Sequence, residues 1–278
     1  MKTITKVLED NLRLDFHSYT MLARLELTLR MAEIRCLDAS DIIPMVVSLW
    51  ENPEKYMYCK RLIELELSDD EQRELINQFN ELEKISNKLG SKQKMKIDRL
   101  IIRLSYALRG RVARDFFSKE VFHTRKIRRI NAYKRLANLG LAKKLTSQLI
   151  KAFIHNKDQE ALELIARDSS AIKSVDYKFL IINLDSEYWR MRVIQSILDS
   201  TDIDITFLEQ YPWELIYSIG RKQSAEYKLL LKKVINDYNN DLRILGIAAW
   251  ACGRLKLINE LNYIKARFLF EIKKNNGS

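Results

Sequence analysis

The sequence predicts an all-α fold, and three observations carry that expectation. Gly (7) and Pro (3) are scarce in 278 residues, whereas a β-rich chain of this length needs many tight turns, which draw on both. Apolar residues recur at helical spacing over long stretches. Short apolar segments with small residues inside return at a drifting but recognisable interval through the second half, as expected of stacked helical hairpins. With 47% hydrophobic and 31% charged residues, the composition is that of a chain that folds around a core.

From the start, residues 1–66 read as amphipathic helices with short interruptions, in which Pro44 marks a helix start and Pro53 a loop. Glu9, Asp10 and Asp15 break up the opening MKTITKVLEDNLRLDF, so no signal peptide is expected. No stretch reaches the ~18 apolar residues that span a bilayer, and no integral membrane segment is expected. The clearest helix follows, in LSDDEQRELINQFNELEKISNKLG. Ser68 is a good N-cap and Glu71 completes a capping box, and the acids of the first turn suit the positive end of the helix dipole. Leu75, Ile76, Phe79, Leu82, Ile85 and Leu89 form its apolar stripe, and Gly90 stops it. The polar link SKQK then separates an acidic N-terminal helical region, 1–90, from a repeat domain, 91–278.

MKIDRLIIRLSYALRGRVARDFF, residues 95–117, reads as one helix with Ile97, Leu100, Ile101, Leu104, Leu108 and Val112 turned inward. The rhythm then runs through IIRLSYALRG, NAYKRLANLG, EALELIARDS, RVIQSILDST, WELIYSIGRK and AAWACGRLKL, each closed by Gly or a polar turn. With Ile102, Ala132, Ala161, Val193, Leu215 and Ala248 as equivalent points, the spacings are 30, 29, 32, 22 and 33 residues. Each hairpin leaves an apolar face that the next one covers. AAWACGRL, RRINAYKRLANLG and DSEYWRMRVIQSIL resemble the second-helix pattern of HEAT-type repeats. The resemblance covers residues 95–260. It implies a right-handed α-solenoid of HEAT-like helical hairpins preceded by an N-terminal helical region, and it implies no activity by itself.

Charge is unevenly spread. The net charge is +11, yet residues 1–83 hold 10 Lys+Arg against 17 Asp+Glu, and residues 84–151 hold 20 against three acids, Asp98, Asp115 and Glu120. Such a block repels itself unless an anion lies nearby. On a helical wheel Lys96, Arg99, Arg103, Arg111 and Arg114 share one arc of the 95–117 helix, and Arg125, Lys126, Arg128 and Arg129 open the next repeat helix. These nine side chains are the expected polyanion-binding surface, and the backbone of DNA or RNA is the simplest partner. Reversing Arg103, Arg114 and Arg128 to Glu should abolish polyanion binding and leave the fold intact, because these three side chains are expected to point outward. Tyr106, Phe116, Phe117, Phe122 and Tyr133 interleave with the cations and are expected mostly in the core.

No catalytic residue, metal or cofactor is expected. Nucleophile elbows, phosphate-cradling Gly-rich loops and zinc helices are absent. His17, His123 and His155 are scattered, and Cys36, Cys59 and Cys252 show neither metal nor redox spacing. An odd cysteine count without a disulfide pattern suits a reducing compartment, so a cytoplasmic location is expected. The function expected first is therefore a non-enzymatic scaffold binding nucleic acid or another polyanion. A protein–protein adaptor is the alternative. A second alternative is an enzyme like the HEAT-like alkylpurine DNA glycosylases, basic helical-repeat proteins whose cleft is lined by Trp, Arg and an acid. Asp185, Trp189, Arg190, Arg192, Trp213 and Trp250 are the nearest candidates for such a cleft. Asp185 reads better as a helix cap, and none of the six takes a catalytic role.

Overall fold

The computed structural model describes residues 29–33, 42–51, 57–200, 202–223, 225–237 and 241–276. Every regular element among them is a helix, so the chain is all-α over the described residues. The readings made at Glu9, Asp10, Asp15, His17, Cys36 and Pro53 lie outside them. The chain forms two compact units, Met1–Leu139 and Gly140–Ser278, so the boundary expected near residue 90 falls inside the first.

In the first unit α1 (Ile43–Val47) begins at Pro44, where the missing N–H is no loss. After α2 (Met57–Glu64) comes α3 (Asp69–Asn87), the helix read from LSDDEQ. Its capping box is formed as expected: Glu71 N–H donates to Ser68 Oγ at 3.3 Å, and Ser68 N–H donates to Glu71 Oε2 at 2.7 Å. Leu75, Phe79 and Leu82 are buried, while Ile85 is exposed and Ser86 takes the inward position. α3 packs on α1, on α4 (Ser91–Leu104) and on α5 (Gly110–Glu120); α4 packs on α2 and on α6 (Lys126–Asn138). Gly90 does not merely stop α3. It is the N-cap of α4, so the link SKQK is helical.

The 95–117 stretch is not one helix. α4 ends at Leu104, a 3-10 turn spans Ser105–Ala107, and Leu108 is extended. Ser105 Oγ donates to the Ile102 carbonyl at 2.7 Å, the kind of local side-chain bond that competes with helix continuation. Gly110 then adopts φ +56, which favours glycine, before α5 starts in a new direction. Gln72 holds the break. Its Oε1 accepts from Arg109 N–H at 2.8 Å and its Nε2 donates to the Leu67 carbonyl at 3.0 Å.

The second unit holds α7 (Ala142–Asn156), α8 (Gln159–Arg167), α9 (Ser169–Ile172), α10 (Tyr177–Asn183), α11 (Glu187–Ile197), α12 (Ile205–Leu208), α13 (Pro212–Lys222), α14 (Lys228–Asp237), α15 (Leu242–Leu255) and α16 (Ile258–Asn276). α8, α11, α13 and α15 each pack on the next, and α7, α9, α10, α14 and α16 pack on these or on one another. Several polar contacts between helices recur at a similar sequence separation. Arg190–Glu214 spans 24 residues, Lys178–Asp204 26, Ser218–Met191 27 and Ser174–Thr146 28. Asp168, Asp176, Asp204 and Asp241 cap α9, α10, α12 and α15 by accepting backbone N–H bonds. α7, α13 and α15 end on left-handed Lys157, Gln223 and Lys256, and not on glycine. Gly220 and Gly253 lie inside α13 and α15.

Cys59 and Cys252 are buried free thiols whose pKa burial pushes up to about 11, which leaves them unreactive near neutral pH. No helix among the described residues is long and apolar enough to cross a membrane.

Candidate functional site

Three of the nine expected surface cations are structural. Arg128 is 3% exposed and Arg129 8%. Arg128 Nη1 donates to Glu83 Oε1 and Nε to Glu120 Oε2, both at 2.7 Å, and Asp98 Oδ1 lies 3.6 Å from Nη1. Arg125 reaches the same carboxylates, Asp98 at 3.0 Å and Glu83 at 3.2 Å, and Ser86 Oγ at 3.1 Å. His123 Nδ1 accepts from Arg125 N–H at 3.0 Å, so the neutral ring carries its proton on Nε2 and donates to Glu83 at 3.0 Å. Arg129 Nη1 donates to the carbonyls of His123 and Thr124 at 2.8 and 2.9 Å, closing the loop before α6. The expectation that Arg128 points outward is therefore corrected. It lies between α3, α4 and the end of α5, where an unpaired arginine would be too costly to bury.

The electrostatics of this cluster are divided. Burial alone would raise the Glu83 pKa, but the His123 hydrogen bond and the Arg128 and Arg125 charges outweigh it and bring it down to about 2. Burial wins at Asp98 and Glu120, whose pKa values rise despite Arg125 and Arg128. The third acid of the basic block, Asp115, pairs with Arg111 at 3.5 Å and Arg114 at 3.2 Å. These two arginines sit on α5, beyond the Gly110 break, and do not continue the α4 ridge.

All three acids of residues 84–151 are thus engaged, and what remains is a cationic groove between α4 and α6. The two helices run in the same direction. Asp98 faces Arg125, Asn131 Nδ2 donates to Ser105 Oγ at 3.4 Å, and Arg135 lies 4.4 Å over the Tyr106 ring. Between them lies a groove of about 680 Å³ lined by Ile63, Arg99, Ile102, Arg103, Tyr106, Ile127, Ile130, Asn131 and Lys134. Its floor is apolar, with Tyr106 44% and Ile127 43% exposed. Among the described residues Lys96 and Arg99 on α4, and Lys126 and Lys134 on α6, form no ion pair. Arg103 also lines the groove and has further contacts of its own.

Of the expected cations Arg99 and Arg103 line the groove, while Lys134 and the isoleucines beside them were not expected there. The signal was there: Lys126, Ile130 and Lys134 lie one turn apart on one helix face. Tyr106, expected in the core, is at the groove wall, and Arg135 is held beneath it, its pKa lowered by burial.

The six residues weighed for a glycosylase cleft are placed as follows. Asp185 is exposed and does not cap; Ser186 is the N-cap of α11. Arg190 is engaged by Glu214 at 2.8 Å and by the carbonyls of Leu184 and Asp185. Trp189 lies under Arg167 at 5.1 Å. Arg192 is half-buried on α11, and Trp213 and Trp250 join one aromatic stack through Tyr217. Among the described residues no group of three or more His, Cys, Asp or Glu side chains could hold a metal ion.

No protein-family model, curated protein or solved structure matches the chain.

Proposed function

We propose that this chain is a non-enzymatic docking module and that the groove between α4 and α6 holds an acidic, amphipathic segment of a partner protein. One observation carries the reading: Arg99 and Lys134, which pair with no acid among the described residues, line a groove floored by exposed Ile127 and Tyr106 and half-buried Ile63, Ile102 and Ile130. Exposed ion pairs contribute only about 0–1 kcal/mol each. Covering ~100 Å² of apolar floor contributes about 2.5 kcal/mol. The floor then supplies affinity, and the cations select an acidic occupant and speed its arrival. A helix with apolar residues at one-turn spacing and acids beside them matches both.

The framework for such docking, in this reading, is an α-solenoid of HEAT-like hairpins. The serial packing of α8, α11, α13 and α15 and the contact step of 24 to 28 residues support it, as does the parallel pairing of α4 and α6.

Binding of a nucleic-acid backbone is the second reading, favoured by the same unpaired cations. It makes no use of the isoleucine floor. The glycosylase reading has least support, since Arg190 is committed to Glu214 and to backbone carbonyls. The test is titration of a labelled acidic amphipathic peptide into the full chain. Saturable binding that weakens at least about tenfold in Arg99→Glu supports the proposal, and equal binding by a peptide of the same composition in scrambled order refutes it.

A further inference from the structure

The second unit carries an aromatic column with one open end. Trp213 and Tyr217, one turn apart on α13, stack with centroids 5.9 Å apart and planes 10° from parallel. Tyr217 stacks in turn on Trp250 of α15 at 5.2 Å and 13°. At the Trp213 end, Arg243 lies 5.0 Å over the indole and pairs with Glu187. At the other end Trp250 remains 37% exposed.

The fold is built around this ring. A Cβ at Gly220 would meet Trp250 Cζ3 at 2.5 Å, so glycine is what lets the indole lie against α13. Gly246 and Gly253, one turn before and after Trp250 on α15, are different. Both are exposed, and a Cβ at either would meet nothing within 4 Å. Glycine weakens a helix relative to alanine, and packing within the unit does not call for it at these two positions. They leave a flat surface on both sides of a large exposed ring.

Cations stand beside that ring. α13 and α15 run in the same direction, Trp213 beside Arg243 and Tyr217 beside Trp250, so Arg221 and Arg254 lie in the last turns at the same end. Both are exposed, and neither forms an ion pair among the described residues. The helix dipole accounts for a cation at a C-terminus, but not for an uncovered indole one turn from it.

We propose that the open end of the column binds a nucleoside phosphate: the base stacks on Trp250 and extends the column, and Arg254 with Arg221 holds the phosphate. Every base has a π-face, so such a site is tolerant of sequence and depends on stacking and charge. The ligand has two sources, a free mononucleotide or one nucleotide unit of a single strand.

Tryptophan fluorescence of the full chain is followed while adenosine 5′-monophosphate or a single-stranded oligo(dA) is added. Saturable quenching by either probe is expected. Oligo(dA) binding at least about tenfold tighter than the mononucleotide, and weakening with salt, identifies single strands as the source. Equal affinity per nucleotide identifies the mononucleotide. Arg254→Gln should weaken binding at least about fivefold. Because Trp250 also packs on Gly220, the blocking variant is Gly253→Glu, which has room for its side chain and should keep the thermal midpoint while abolishing quenching. The absence of saturable quenching by both probes would overturn the proposal. So would quenching that survives both variants, or that is lost in Arg99→Glu of the first unit and kept in Arg254→Gln.

Discussion

Arg128 of α6 donates to Glu83 of α3 at 2.7 Å across 45 residues of chain. This contact takes the central arginine of a basic run into the interior and ties α6 to α3. Asp98 from α4 and Glu120 from the end of α5 meet the same guanidinium, so one side chain serves four helices.

Replacing Arg128 by Met leaves buried Asp98 and half-buried Glu83 and Glu120 with too little compensating charge. Loss of one partner from a buried ion pair costs about 3–5 kcal/mol. The thermal midpoint of Arg128→Met should fall accordingly, while Arg99→Met, on the exposed face of α4, should stay within about 0.5 kcal/mol of the parent. Equal midpoints for the two variants would show that the cluster holds nothing together.

Glu83 also sets a pH dependence. Its folded pKa is about 2 against an ordinary 4.5, and a lowered carboxylate contributes stability that is present above the ordinary value and lost as pH falls through the folded one. The stability gap between the parent and Glu83→Gln should therefore be constant above pH ~4.5 and close towards pH ~2. Asp98 and Glu120 act in the opposite sense, because their raised pKa values mean that protonation relieves buried charge as pH falls. Denaturant unfolding at several pH values measures the gap, and a gap that stays constant down to pH ~2 would contradict the assignment.

The start and the buried face of α3 were legible because their signals are local: Ser68, Glu71 and the Leu75, Phe79, Leu82 stripe all lie within one helix and its caps, whereas Ile85, read into the same stripe, is exposed. The break at Ser105 to Gly110 was not, because a helical wheel carries apolar periodicity straight across it. Gly110 was the visible clue, but glycine inside a helical pattern does not by itself say whether the chain turns, and Gly220 and Gly253 sit in mid-helix. Arg99 and Arg103, read as sharing one face, do line the groove together, because neighbours on one helix suffice to group them. Arg125 and Arg128 were misplaced because Glu83 and its neighbours on α3 come from distant positions, and Arg129 because it turns back onto the carbonyls of the loop before α6. Local pattern reports which residues share a face, and a run of like charge conceals partners that only tertiary packing brings near.

Gly220 gives a test of the second unit's packing. A Cβ there would meet the Trp250 ring at 2.5 Å, and overpacking of this kind costs about 1–3 kcal/mol. Gly253→Ala, where a Cβ meets nothing within 4 Å, should instead stabilise α15 by up to about 1 kcal/mol. Opposite signs in the two thermal midpoints are expected. The same sign in both would mean that the Trp250 contact is not as described.

The groove's cations should matter to binding and not to folding. Arg99→Glu and Lys134→Glu each reverse an exposed side chain that has no ion partner among the described residues, so stability should change by less than about 0.5 kcal/mol. Each should slow association with an acidic peptide, and the effect should shrink as salt is raised. Stopped-flow association rates at two ionic strengths measure this. Unchanged rates in both variants would remove the groove from the account.

The most direct measurement sets the floor of the groove against its rim. Ile127→Ser removes apolar contact and leaves every charge in place, and its affinity is compared with the parent's for an acidic amphipathic peptide and for a nucleic-acid duplex of matched charge. Docking of a protein segment predicts that the peptide loses about tenfold in affinity and the duplex loses nothing. If Ile127→Ser binds both as the parent does, and only salt and charge reversal change either affinity, the groove is a simple anion surface and the proposed partner is wrong.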